Sequence, residues 1–159
     1  MGVGAFALEV LKMYPHSTGV GIDVVQQAVS IANVVLPADR MRAITGDMRD
    51  MMDFGPSEFD VVYVPGAICY LLSMDEIKTA VGEFYRVLRA GNQSGLCLSM
   101  IASDTSDMGS CNTRIPKAFW YEDTVVKKYG FKVLSMEDME DWHLPHASGR
   151  YSVCLQKQK

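Results

Sequence analysis

The sequence is informative first through what it lacks. No apolar run approaches the roughly 20 residues of a membrane-spanning helix, and no basic segment leads into an apolar one at the N-terminus. Neither a bilayer span nor a secretory leader is therefore expected. The four cysteines, Cys69, Cys97, Cys111 and Cys154, form no C-x-x-C pair and no zinc-binding spacing. Reduced thiols in or near a core are the expectation, with no metal site. Histidine is scarce, with three in 159 residues, which leaves little imidazole for acid–base chemistry. Basic charge is in deficit, 15 Lys and Arg against 19 Asp and Glu, and the net charge of −4 denies nucleic acid a broad electrostatic footprint. Repeats, low-complexity tracts and domain-splitting linkers are also missing. The expectation is a single soluble, cytoplasmic domain over residues 1–159.

What is present starts with Gly2 to Asp23, GVGAFALEVLKMYPHSTGVGID. Glycines at 2 and 4 permit a tight turn and close backbone approach to a ligand. Phe6, Val10 and Met13 mark a helical stripe that Pro15 ends, and Gly19 to Ile22 is a short buried-strand candidate running into Asp23. Asp23 lies 19 positions after Gly4 (23 − 4), near the spacing at which a carboxylate meets ribose hydroxyls in doubly wound folds. The loop should follow a buried strand, yet this chain begins at the loop.

Further along, Val25, Ala28, Val29 and Ala32 repeat the helical period until Pro37, and Met41 to Thr45 forms a strand leading into Gly46-Asp47. FDVVYV, residues 59–64, is apolar on both faces and belongs in the middle of a covered parallel sheet. Ser73 and Glu76 fit a capping box. Ile77, Ala80, Val81, Phe84, Val87 and Leu88 then hold one helix face, with Arg86 and Arg89 near its end and Gly91 as a stop. Gly95 to Ala102 is an apolar strand, and Lys117 to Tyr129 a helix stopped by Gly130. Phe131 to Met136 is a further strand, and Tyr151, Val153 and Leu155 alternate with polar neighbours as a half-exposed one. Strands alternating with helices before a closing strand pair predict a three-layer, doubly wound α/β fold. Its sheet is mostly parallel, with an antiparallel strand near the C-terminus.

The motifs GVGAFALEVLKMYP, GVGID, GDMRDM, FDVVYV, EFYRVLRAG and RYSVCLQK, in that order, resemble the class I S-adenosylmethionine-dependent methyltransferases over essentially the whole chain. The resemblance implies S-adenosylmethionine as cofactor and a Rossmann-like methyltransferase fold. It implies that Gly2 and Gly4 belong to the glycine loop, and that Asp23, with Val24 beside it, binds the ribose. Read from the residues alone, Asp23 also suits a helix cap before Val25. By the same resemblance Asp47 faces the adenine amino group and Met48 the ring; read from the residues alone, a turn aspartate is the alternative for Asp47. Val64, Pro65 and Gly66 leave the fourth strand of that fold beneath the methionine part of the cofactor, and Tyr70 is a neighbour of the methyl group and the acceptor. Val-Pro-Gly-Ala stands where nitrogen methyltransferases acting on nucleic acid or protein often carry Asn/Asp-Pro-Pro-Tyr or Phe. This departure favours a small-molecule acceptor. A nicotinamide-binding dehydrogenase would share the loop and the acid, but not Gly46-Asp47 or Arg-Val-Leu-x-x-Gly.

No catalytic base stands out. Tyr70, His143 and His146 are the candidates, although a histidine in a loop is more often an exposed residue than a base. Arg114 could pair with an acidic substrate or neutralise Asp104 and Asp107, and Trp120 could line the substrate pocket or pack in the core. Because the family's first strand and the start of its glycine motif have no counterpart here, the expectation is an N-terminally incomplete chain. A second copy or a partner chain would then complete the sheet, and a non-catalytic, partner-binding module is the alternative function. Cooperative melting of the monomeric chain together with micromolar or tighter cofactor binding would overturn the expectation of incompleteness.

Overall fold

The computed structural model describes residues 2–91, the backbone of 95–100, and residues 115–121, 128–138 and 151–158. Contacts gather the chain into two compact units, Met1–Met51 and Met52–Lys159.

The first unit runs α1 (Ala5–Met13), β1 (Gly19–Asp23), α2 (Gln26–Val35) and β2 (Met41–Thr45). α1 opens on Gly4, whose φ of 88° is left-handed, and Pro15 follows its end. The helical period expected here is present, but its phase differs. Ala7 and Leu11 are buried, whereas Phe6 and Met13 are 41% and 71% exposed. Size explains the shift. The core of the unit is Ala7, Val29, Ala32, Leu36 and Ala43, with Leu8 and Met41 packed against it. A Cβ placed on Gly4 would lie 3.3 Å from Leu36 Cγ and 3.5 Å from Ala32 Cα. Such close approach selects the small residues of α1 rather than its largest apolar ones.

β1 and β2 pair in parallel from Gly19↔Met41 to Asp23↔Thr45. β1 is half-buried along its length, not the buried strand expected. Asn33 on α2 fastens the other strand: its side-chain amide donates to Ala43 O at 2.8 Å and accepts from Ala43 N at 2.7 Å. A strand backbone would offer the same donor and acceptor, so Ala43 is satisfied without one.

The second unit contains β3 (Val61–Pro65), a 3₁₀ turn (Ile68–Tyr70), α3 (Met74–Val87), β4 (Gly95–Met100), a 3₁₀ turn (Lys117–Trp120), β5 (Phe131–Asp138) and β6 (Tyr151–Lys157). The sheet order is β3-β4-β6-β5. β3 and β4 are parallel, and β6 is antiparallel to both neighbours, as expected of the C-terminal strand. Among the described residues there are thus two sheets, with parallel and antiparallel pairings equally represented, where one mostly parallel sheet was expected. FDVVYV is also corrected. In its sheet β3 is an edge strand, and Val61 and Tyr63 are exposed while Val64 is buried. The expected helix from Lys117 begins instead as a 3₁₀ turn that ends at Trp120, with Tyr121 as its C-cap. Residues 122–127 lie outside the described ones, and Gly130 is left-handed at φ 72°.

α3 follows its sequence pattern closely. Ser73 Oγ accepts from Glu76 N at 3.2 Å. The Glu76 carboxylate reaches one residue further than a simple capping box and accepts from Leu72 N at 2.7 Å. Ile77, Ala80, Val81, Phe84, Val87 and Leu88 are all buried. At the other end, Lys157 Nζ donates to the carbonyls of Tyr85 and Leu88 at 2.8 and 2.9 Å and lies 4.2 Å from the Tyr85 ring centroid. This ammonium supplies the late carbonyls of α3 with donors and faces the negative end of its dipole. Arg86 pairs with Glu83 and donates to Phe54 O at 2.7 Å, and Arg89 pairs with Asp60.

Gly2 and Gly4 are both left-handed, but only at Gly4 would a Cβ meet neighbours within 4 Å. Gly4→Ala is expected to cost more than the roughly 1–2 kcal/mol of a left-handed alanine, and Gly2→Ala about that amount. Urea unfolding of the two variants measures the difference, and equal losses would show that the contact with Leu36 and Ala32 is not tight.

Candidate functional site

The expected cofactor residues of the first unit gather at the carboxyl ends of β1 and β2. Asp23 closes β1 opposite Thr45, and Gly46 N donates to Asp23 O at 3.0 Å, so Gly46-Asp47 begins where β1 ends. The Asp23 carboxylate accepts from Gly2 N at 2.7 Å through Oδ2 and from Val25 N at 2.9 Å through Oδ1. The glycine loop and the second strand are thereby tied at one acid. Val25, not Asp23, is the N-cap residue of α2, so the carboxylate holds the turn into that helix rather than capping it. Burial acts to raise the Asp23 pKa, but the Val25 and Gly2 amides together with the charge of the N-terminus outweigh it and hold it below the ordinary 3.8. Val24 is exposed beside it.

Asp47 opens a turn in which Asp50 N donates to Asp47 O at 3.1 Å. Arg49 closes on its carboxylate. Arg49 N and Nε donate to Oδ1 at 2.8 and 3.0 Å, and Nε and Nη2 donate to Oδ2 at 3.0 and 2.5 Å. The Arg49 side chain, through its hydrogen bonds, is the main reason the Asp47 pKa is lowered. The structure thus places Asp47 in a turn and in an ion pair at once. Sequence reasoning did not single out Arg49, although an arginine two residues after a turn aspartate is within reach of it. Met48, between them, is half-buried.

In the second unit, Pro65 ends β3 and Gly66 follows in a left-handed conformation, φ 61°. The 3₁₀ turn then carries Tyr70, which is 49% exposed. Val64 is buried. Trp120 is placed among core residues rather than on an open surface: it is fully buried, and its Nε1 donates to Tyr151 Oη at 2.7 Å. Tyr151 in turn donates to Ile115 O at 2.8 Å. Arg114, His143 and His146 lie outside the described residues. Among the described residues, no group of three His, Cys, Asp or Glu side chains could hold a metal ion, and no helix is long and apolar enough to cross a membrane.

A family model described as a methyltransferase domain matches residues 1–91, more than half of the 159. The chain belongs to this family, the class I S-adenosylmethionine-dependent methyltransferases. No curated protein matches this methyltransferase chain significantly by sequence. Solved structures share its fold at low identity. A chain of the complex between the Trm112 methyltransferase activator of Haloferax volcanii and its methyltransferase is 15% identical at a TM-score of 0.79, with 99% of this chain and 80% of that one covered. An S-adenosylmethionine-dependent methyltransferase of Methanosarcina mazei is 16% identical at 0.72, covering 99% and 89%. A geranyl diphosphate C-methyltransferase of Streptomyces coelicolor is 10% identical at 0.74, covering 98% and 68%.

The family's cofactor is S-adenosylmethionine. Asp23 fits such a group, being an ionised carboxylate at a strand's carboxyl end beside a left-handed glycine around which a Cβ would meet nothing within 4 Å. Both lowered acids predict the direction of the pH dependence. Their contribution to stability is complete above the unfolded value near 3.8 and is lost as pH falls through that value toward the lower folded ones. Urea unfolding between about pH 6 and pH 3 should therefore show a declining midpoint, with a smaller decline in Asp47→Asn. An identical decline in that variant would show that Asp47 gains nothing from Arg49.

Proposed function

We propose that this chain transfers a methyl group from S-adenosylmethionine to a small-molecule acceptor. The observation that carries the reading is the Asp23 carboxylate, held ionised at the end of β1 and reached by the Gly2 amide. Two adjacent hydroxyls suit one such carboxylate, because it accepts charge-assisted hydrogen bonds through both oxygens. Ribose hydroxyls would join or displace the two backbone amides there. Gly2 keeps the loop free of a side chain, Val24 and Met48 offer apolar surface, and Asp47 is the acid assigned to the adenine amino group.

When bound, S-adenosylmethionine supplies an electrophilic methyl group on a sulfonium. The protein's part in an in-line displacement is placement and exclusion of water. Val64, Pro65 and Gly66 bring backbone without bulk to the end of β3, and Tyr70 presents an aromatic face suited to a cation. Tyr70, His143 and His146 remain the candidates for any base the acceptor requires, and Arg114 and Trp120 for acceptor contacts, Trp120 acting through packing. Support for a small acceptor comes from Val-Pro-Gly-Ala at residues 64–67 and from the net negative charge. A cytoplasmic setting goes with this reading.

The alternative is a non-catalytic module that binds a partner. The place of β3 at the end of its sheet's strand order among the described residues favours it, since the end of a sheet is where another strand can add. Titration calorimetry with S-adenosylmethionine separates the two. Binding by the native chain should weaken by about 1.5–3 kcal/mol in Asp23→Ala, the worth of a charged hydrogen bond. Unchanged affinity would remove Asp23 from the ribose role, and no heat from folded protein would favour the module.

A further inference from the structure

The acid assigned to the nucleobase is already engaged. Both oxygens of Asp47 carry donors, and all of those donors belong to Arg49. On Oδ2 the partners are Nε at 3.0 Å and Nη2 at 2.5 Å, both from the guanidinium. A carboxylate has about four acceptor positions, so four contacts leave little for an incoming amino group. We propose that Arg49 competes with the nucleobase for Asp47, and that withdrawal of its guanidinium accompanies cofactor binding. The proposal rests on the reading of Asp47 as the acid that meets the adenine amino group.

Three features make the exchange physically reasonable. The Arg49 and Asp47 side chains are 38% and 31% exposed, so the pair is accessible and water can take over the guanidinium. Partly exposed ion pairs are worth little, because water screens them and two flexible side chains must be held in register. The turn itself does not depend on the guanidinium. Arg49 N donates to Asp47 Oδ1 at 2.8 Å and Asp50 N to Asp47 O at 3.1 Å, and neither bond uses that group. The backbone therefore keeps the carboxylate in place while Oδ2 changes donors. A consequence for specificity follows: Arg49 reduces the advantage of a base with an amino group over one without.

The test compares S-adenosylhomocysteine with S-inosylhomocysteine, whose base has a carbonyl in place of the amino group, by calorimetry near neutral pH. Arg49→Met, which keeps an unbranched apolar side chain but no donors, should bind the adenosyl compound about fivefold more tightly, the upper end for a partly exposed pair. Its affinity for the inosyl compound should not change, and Asp47→Asn should abolish the adenosyl preference. In the native chain the adenosyl-to-inosyl affinity ratio should rise with added salt, which screens the pair, and in Arg49→Met it should stay flat. The salt series on the native chain reads the competition even if Arg49→Met does not fold. Unchanged or weaker adenosyl binding by a folded Arg49→Met, or a native ratio insensitive to salt, overturns the proposal. If native affinity for S-adenosylhomocysteine is still lost in Asp23→Ala, the methyltransferase reading survives that result. Absence of binding by native and variant chains alike overturns both.

Discussion

An ionised carboxylate at the end of β1 organises the first unit. Asp23 accepts from Gly2 and from Val25, so one side chain fastens the glycine loop, the strand end and the entry to α2. Two backbone amides do this because a carboxylate prefers donors that need no reorganisation, and amides in a turn are already aimed. The neighbouring glycine conformations serve the same end. Gly4 turns left-handed against Leu36 and Ala32 to start α1, and the small Ala7 lets that helix sit close. The loop and strand end proposed to receive a ribose thus adjoin the core of this unit.

Polar groups in both units replace partners that secondary structure alone would not supply. Asn33 stands in for a strand beside Ala43, and Tyr151 joins Trp120 to the carbonyl of Ile115. Arg86 holds the carbonyl of Phe54 at a segment that includes the left-handed Ser57, whose own amide donates to Arg86 O at 2.9 Å. Each bond is modest in net worth, but leaving its buried partner unmade would be costly. These contacts hold irregular segments to regular ones.

What could be read from the sequence was local. Ser73 and Glu76 lie within one helical turn, and the residues buried on α3 recur with its period, so cap and face were visible together. The alternation of β6 was equally plain, because Tyr151, Val153 and Leu155 all point into the core. The strand ends bearing Asp23 and Asp47 followed from their motifs. The phase of α1 did not, because hydrophobicity favours Phe6 and Met13 whereas close helix approach favours Ala7. Strand β3 looked central because every residue is apolar or aromatic, yet neighbours, not composition, decide whether a strand lies at an edge. Arg49 was overlooked because only side-chain conformation turns it back onto Asp47. Trp120 was left between pocket and core, a choice that depends on Tyr151, 31 residues away.

The two ends of α3 are completed by very different means. The first turn is capped by Ser73 and Glu76, residues of the helix itself or adjoining it. Of the last carbonyls, those of Arg86 and Val87 accept from Ser57 N and Phe59 N, whereas those of Tyr85 and Leu88 take Lys157, 72 and 69 residues beyond them. During synthesis from the N-terminus, α3 can therefore nucleate long before its far end finds its ammonium. The Tyr85 and Leu88 carbonyls gain that donor only once β6 has been made and has joined the sheet. The last strand thus carries the ammonium that completes the far end of a helix made long before it.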